Sequence, residues 1–349
     1  MIPVRRDRYP RTAEFDLARR WVTIQVNLGL ARNTIDAYSR ALEDYLGFSH
    51  RQSADVTSAA RDHIAAYVHD LTSRPNTRTS KTVTLGAEKG LANATLQQRI
   101  TALRLFYDFL MEEGIRPSNP VGRGRYTPGK GFAGIRDRGL IPRYTKLPWI
   151  PNDEQWRCIL AAARKQIMRN RLMLALAYDS TLRRQELCRL EVNDIDPAFQ
   201  TIRIRAENTK NRLARIVPYS KAAGELLTAY LSRRRELTHD RGRLFISESR
   251  RNRGKPISIW AWSKVVHELA AESGVIEFTT HTSRHLCLTD LARDNWDIHE
   301  IARFAGHRSI QTTLLYIHLS GRELGAKIAR GMAEIHAQRN KLTTEMLIA

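Results

Sequence analysis

Cysteine is scarce: three thiols, Cys158, Cys188 and Cys287, are scattered through 349 residues. Too few and too widely spaced for a disulfide framework, they are expected to be free thiols in a reducing, cytoplasmic compartment. Long apolar runs are missing as well. The longest purely apolar stretch, Leu172 to Tyr178, is seven residues, against the roughly 20 that a spanning helix needs. Met1 to Arg11 is basic, carries Pro3 and Pro10, and leads into no apolar run, so neither a secretory signal nor a membrane partner is expected. No repeat of 20–50 residues recurs, which excludes a solenoid. There is no Gly-x-x-x-x-Gly-Lys-Ser/Thr loop to cradle a nucleotide, and no cluster of three or four carboxylates of the two-metal nuclease kind. Neither a cofactor nor a metal is expected.

Acid is also in short supply. Lys and Arg number 57 against 36 Asp and Glu, a formal charge of +21. Such an excess costs self-repulsion in a compact chain and fits a polyanionic partner, nucleic acid before a membrane surface. The remaining composition, 42% hydrophobic and 27% charged, is that of a globular protein with room for about two domains.

Residues 13–113, after a basic tail over 1–12, read as helical. Ile35, Tyr38, Leu42, Tyr45 and Leu46 lie on one helix face behind a polar cap at Asn33. Ile64, Tyr67, Val68 and Leu71 repeat the pattern, as do Leu96, Ile100, Leu103, Phe106 or Tyr107, and Leu110 behind Asn93 or Thr95. Between them, Ser73 to Gly90 reads as an exposed loop whose Arg74, Arg78, Lys81 and Lys89 are candidates for phosphate contact.

Residues 114–150 hold seven of the 19 glycines, five of the 12 prolines, eight Lys or Arg and one acid, Asp137. That composition supports no regular packed element and reads as a basic linker. Its Arg123, Arg125, Lys130 and Arg136 are candidates to lie along DNA, where they release counterions. A second domain follows over 151–321, with a tail over 322–349. Asn152 or Asp153 can cap its first helix, and Leu172 to Tyr178 suggests a buried one. Thr201 to Arg205 alternates as a strand does, Arg215 to Pro218 offers its return, and Asn208 to Arg212 forms the turn. The fold class is mainly α with a small antiparallel β-sheet.

Three patches of this domain carry polar groups beside apolar ones. In Ser180 to Leu190, Leu182, Leu187 and Leu190 can face a core, while Arg183 needs a partner such as Glu186 or Glu191. Lys210 stands at the hairpin tip. His281-Thr282-Ser283-Arg284-His285 is followed by Gly306-His307 and Tyr316. Singly, each has a bland reading: a solvated lysine, a satisfied histidine, a core aromatic. A zinc site of His281, His285, Cys287 and His307 is disfavoured by the missing Cys partner and by Arg284 in its midst.

Taken in order, Leu-Arg-x-x-Glu-Leu, a hairpin lysine eight residues before Pro218, His-x-x-Arg-His, Gly-His and a tyrosine nine residues on resemble the tyrosine recombinase (phage integrase) family. Leu30 to Phe48 and Thr95 to Val121 look like that family's N-terminal core-binding helices, so about 300 residues are covered. The chain departs from the pattern at Thr181, where glycine is common, and at Phe304-Ala305, where Leu precedes Gly-His.

The resemblance implies an N-terminal helical core-binding domain and a C-terminal α+β catalytic domain that clamp a duplex. It implies Arg183 and Arg284 as phosphate-binding arginines, Tyr316 as nucleophile and Lys210 as general acid. His281 would assist proton transfer, with His307 as the second histidine. Two guanidiniums suit charge growing on non-bridging oxygens, and an aryl phosphate ester stores the energy of the broken bond. The implied activity is site-specific DNA recombination through a 3′-phosphotyrosine, without metal or ATP, for integration, excision or transposition of a mobile element. Implied partners are duplex DNA at specific sites, further copies of the chain as dimer and tetramer on DNA, and accessory DNA-bending or directionality proteins. No separate arm-site module is expected before residue 13. A type IB topoisomerase and a catalytically inactive DNA-binding protein of the same fold are the alternatives. The tail segment Leu324 to Ile335 is amphipathic and suits a neighbouring subunit or its own core equally.

Overall fold

The computed structural model describes residues 7–74, 90–122, 140–141, 147–209, 211–319 and 330–341. The chain divides into two compact units, Met1–Thr145 and Lys146–Ala349.

The first unit is built of helices α1 (Pro10–Glu14), α2 (Asp16–Asn27), α3 (Arg32–Arg51), α4 (Arg61–Ser73) and α5 (Asn93–Glu112). Their apolar faces bury Trp21, Leu42, Tyr45, Ile64, Tyr67, Leu103 and Phe106 in one core. Buried phenols are satisfied inside it: Tyr45 Oη lies 2.6 Å from Tyr107 Oη, which donates to the Val56 carbonyl at 3.0 Å. The expected caps are displaced. Helix α3 begins at Arg32 behind Ala31 and α5 at Asn93 behind Ala92, neither with a side-chain cap. The Ala31 and Ala92 carbonyls already accept the first helical hydrogen bonds, from Thr34 and Ile35 and from Thr95 and Leu96, so each helix reaches further back than its polar residue.

The described ends of the 114–150 segment are packed rather than free. Val121 and Ile141 enter the first unit's core, and the Ile141 carbonyl accepts from Gln97 Nε2 at 2.8 Å. Arg116 stacks over the Tyr107 ring at 4.8 Å and donates to the Ala59 carbonyl.

The second unit contains α6 (Asp153–Arg164), α7 (Met168–Asp179), α8 (Arg184–Arg189), β1 (Ile195–Asp196), β2 (Thr201–Ile204), β3 (Arg215–Pro218), α9 (Lys221–Leu237), α10 (Ile259–Ser273), α11 (Thr282–Arg293), α12 (Ile298–Ala305) and α13 (Ile310–Leu319). Asn152 caps α6 in a reciprocal box with Gln155, and α7 buries Leu172, Met173, Leu174, Leu176 and Ala177. The sheet has three antiparallel strands in the order β1-β2-β3, with Ile202 opposite both Ile195 and Val217. The sequence reading missed β1, whose two residues are too few to display alternation. Arg205 follows β2 instead of ending it, because the chain turns there into a short 3₁₀ helix, Ala206–Asn208. The three cysteines are free. No helix among the described residues is long and apolar enough to cross a membrane. Residues 330–341 are helical, with Met332 and Ile335 exposed; Leu324 and Ile328 lie outside the described residues.

Candidate active site

The site is assembled at the α7–α8 turn, β3, the N-terminus of α11, the C-terminus of α12 and α13. Between α7 and α8, Thr181 adopts φ 49°, the left-handed region that favours glycine. This conformation explains why a glycine suits the position. Leu182 is buried just after it, and Ser180 Oγ ties the turn to the sheet by donating to the Pro218 carbonyl at 2.7 Å.

Arg183 follows, and its guanidinium is fixed on two sides. Nη1 donates to Glu186 Oε1 at 2.9 Å and Nη2 to the Gly306 carbonyl at 3.1 Å. Glu186, on α8, is 1% exposed and also pairs with Arg215 of β3, whose Nη2 lies 2.8 Å from Oε2. Burial by itself would raise the Glu186 carboxyl, but Arg215 and Arg183 overcome it and hold it below the usual carboxylate range. Arg183 therefore has the carboxylate partner that the bland sequence reading offered, and it also reaches the site.

Arg284 enters from the first turn of α11 and is 4% exposed. It donates to the Thr181 carbonyl, to the Ala305 carbonyl at 2.6 Å and to His307 Nε2 at 3.0 Å. Burial, reinforced by the charge of Arg183, draws its pKa down to about 10, which leaves it charged at neutral pH. Since Arg284 can only donate, His307 Nε2 is an acceptor, and its Nδ1–H donates to Thr313 Oγ1 at 2.9 Å. Burial and then the surrounding arginines push His307 down to about 3, so it stays neutral.

Helix α12 delivers His307 through its ending. Asp297 caps the start with Glu300, and Gly306 closes the end at φ 64°, from which the His307 N–H reaches back to Ala302 at 2.8 Å. The Gly306 carbonyl also accepts from Asn211 Nδ2 at 3.3 Å, tying the hairpin tip to the carbonyl that Arg183 uses.

Tyr316, on α13, is 3% exposed and packs with Leu288, Ile301 and Ala305. Its ring stacks parallel to His307, centroids 6.0 Å apart, and its hydroxyl lies 2.9 Å from His285 Nδ1. Burial raises the Tyr316 phenol, while the charges of Arg284 and Arg183 pull the other way. His281, at the N-cap of α11, is exposed; partial desolvation and then Arg284, Arg184 and Arg183 lower its pKa.

Arg183, His281, Arg284, His307 and Tyr316 are thus neighbours in one pocket. Lys210 lies outside the described residues, as do Arg78, Lys81, Lys89, Arg123, Arg125, Lys130 and Arg136. Arg74, at the end of α4, is held between Asp44 and Asp70. Sequence reasoning missed Arg215 and the contact of His285 with Tyr316. Arg215 shares a strand face with the buried Val217, and an arginine facing inward from a strand signals a buried carboxylate partner. The histidine carried no such signal, because its contact crosses from α11 to α13.

Comparison with known proteins matches residues 151–323 to a family described as the phage integrase family, and residues 20–114 to its N-terminal SAM-like domain. Over 310 residues the chain is 30% identical to the tyrosine recombinase XerD of Caulobacter vibrioides, covering 86% of this chain and 90% of that protein. Its fold is similar to that of the XerH site-specific recombinase bound to palindromic difH substrate, with a TM-score of 0.62 at 19% identity over 84% of this chain and 79% of the other. It is similar again to a Tn1549 transposon integrase in complex with a circular intermediate DNA, with a TM-score of 0.63 at 16% identity over 85% and 93%.

Proposed function

The chain belongs to the phage integrase family of tyrosine recombinases, enzymes of site-specific DNA strand exchange, and on that premise we propose that Tyr316 attacks a DNA phosphodiester to leave a 3′-phosphotyrosine and a free 5′-hydroxyl. The observation that carries this reading is the Tyr316 ring stacked on His307, which Arg284 holds, so that the charges of Arg284 and Arg183 act on the phenol.

In this reading Arg183 and Arg284 neutralise charge building on the non-bridging oxygens. Arg183 is held by the Glu186 carboxylate and the Gly306 carbonyl, and Arg284 by the Thr181 and Ala305 carbonyls and His307, before substrate arrives, so little reorganisation is needed. His307, neutral and braced by Thr313, keeps Arg284 in place. His281 assists proton transfer from its exposed position. Lys210 protonates the departing 5′ oxygen, a role the resemblance implies; the tie of its neighbour Asn211 to Gly306 supports it. Attack by a 5′-hydroxyl from a second duplex reverses the bond changes and exchanges strands without ATP or metal. The enzyme acts as a dimer on each site and as a tetramer on paired sites, and its setting is the integration, excision or transposition of a mobile element.

Incubation in EDTA with nicked duplexes tiled from the DNA flanking its own gene, beside the Tyr316→Phe variant, tests this. A covalent band confined to particular duplexes and lost in the variant is expected, with strand exchange only when two such sites are present. Adducts on every duplex, with relaxation of any supercoiled plasmid, would instead identify a topoisomerase. Salt-sensitive binding with no adduct would leave only a DNA-binding role.

A further inference from the structure

The Tyr316 phenol has a nitrogen acceptor within hydrogen-bond reach that the sequence reading did not use. His285 Nδ1 lies 2.9 Å from the Tyr316 oxygen, with the rings 5.7 Å apart and inclined by 32°. The direction of this hydrogen bond follows from the two groups themselves. A phenol O–H is a stronger donor than an imidazole N–H, and an imidazole nitrogen is a stronger acceptor than a phenol oxygen, so the phenolic hydrogen points at His285. His285 Nδ1 is therefore an unprotonated acceptor, and the ring hydrogen sits on Nε2.

The other histidines are placed differently. His307 has Nε2 engaged by Arg284 and Nδ1 by Thr313. His281 packs its ring 6.2 Å from that of His285, and its described contacts do not include the phenol. Resting on the reading of Tyr316 as nucleophile, we infer that His285 is the general base of cleavage and the general acid of rejoining. In cleavage the Tyr316 O–H proton passes to His285 Nδ1 as the tyrosine oxygen bonds to phosphorus and the P–O5′ bond breaks. The leaving 5′ oxygen takes its proton from the separate acid on its own side. In rejoining the 5′-hydroxyl gives its proton back to that separate group as its oxygen bonds to phosphorus, the P–O bond to Tyr316 breaks, and the imidazolium returns its proton to the tyrosine oxygen.

The electrostatics agree with this assignment. Burial raises the Tyr316 phenol, so the nucleophile is not ionised beforehand and needs an acceptor. Burial, then His281 and Arg284, push His285 down to about 4, so the ring is free to accept at neutral pH. The groups that face it are His281 and Arg284 on α11, Tyr316 on α13 and His307 at the end of α12. A bound phosphodiester places negative charge beside Arg284, offsets the repulsion that weakens His285 as a base, and raises its basicity when DNA is present.

The test is single-turnover cleavage of a nicked duplex by His285→Asn, whose amide oxygen can accept the same hydrogen bond but cannot take the proton. Cleavage is expected to slow by about 10²–10⁴-fold, the usual contribution of general base catalysis. Its rate should then climb about tenfold per pH unit between pH 6 and 8, where the wild-type rate is flat. Replacing Tyr316 by a fluorinated, more acidic tyrosine should restore much of the lost rate in His285→Asn and little in the wild type. A His285→Asn rate and pH profile matching the wild type would reduce the contact to positioning and overturn the inference. A His285→Ala variant faster than the wild type would overturn it differently, by showing that the contact restrains the tyrosine. A full adduct yield in Tyr316→Phe would sink the nucleophile reading itself, an outcome separate from all of these.

Discussion

At the scale of single residues, the pocket is held in a protonation state that solvent alone would not maintain. His285 and His307 sit at about 4 and about 3, and His281 is lowered too, against an ordinary value of about 6.5. Between those values and about 6.5 the unfolded chain binds protons that the folded chain refuses, so stability rises with pH across that window and falls on acidification. Glu186 acts in the same sense at lower pH, since its depressed carboxyl stabilises the fold when ionised and loses that contribution as it protonates. The melting temperature is therefore expected to drop from pH 7 to pH 5 at constant ionic strength, and to drop less in His307→Gln. A flat profile would contradict the neutral, buried assignment. Residues of this kind differ in how far sequence reveals them. Arg183, Arg284, His307 and Tyr316 were legible because their order and spacing repeat a family pattern. Arg215 and His285 were not, since their partners are 29 and 31 residues away along the chain and meet them only in the fold.

At the scale of elements, one glycine carries the ends of several. Gly306 closes α12 at φ 64°, its carbonyl accepts from Arg183 and Asn211, and a Cβ there would meet Arg215 Nη1 at 3.1 Å. Gly274 closes α10 at φ 71° with nothing within 4 Å. Both Gly→Ala changes incur the left-handed strain of about 1–2 kcal/mol. Only Gly306→Ala also presses on the Arg215–Glu186–Arg183 chain. It is expected to cut cleavage by at least tenfold, while Gly274→Ala lowers the melting temperature alone; equal activities in the two would contradict the coupling. The helices themselves were readable from apolar spacing, and β2 and β3 from alternation. The N-caps at Ala31 and Ala92 were not, because backbone carbonyls do there what a polar side chain was expected to do.

At the scale of the whole molecule, the charge of +21 is the plainest trait of the sequence and calls for a polyanion. Binding that neutralises about six to ten phosphates should lose about 10³–10⁵ in affinity between 50 and 200 mM salt. Affinity for a cognate duplex that changes by less than tenfold over that range would show that charge is not what holds the DNA. The central claim, a tyrosine nucleophile in a preset arginine and histidine pocket, is tested most directly on the covalent product. The adduct formed in EDTA should be digested and its DNA-linked peptide sequenced by mass spectrometry. A phosphodiester joining Tyr316 to the 3′ end of the cleaved strand is the predicted result. Attachment through any other residue, or to the 5′ end, would contradict the account.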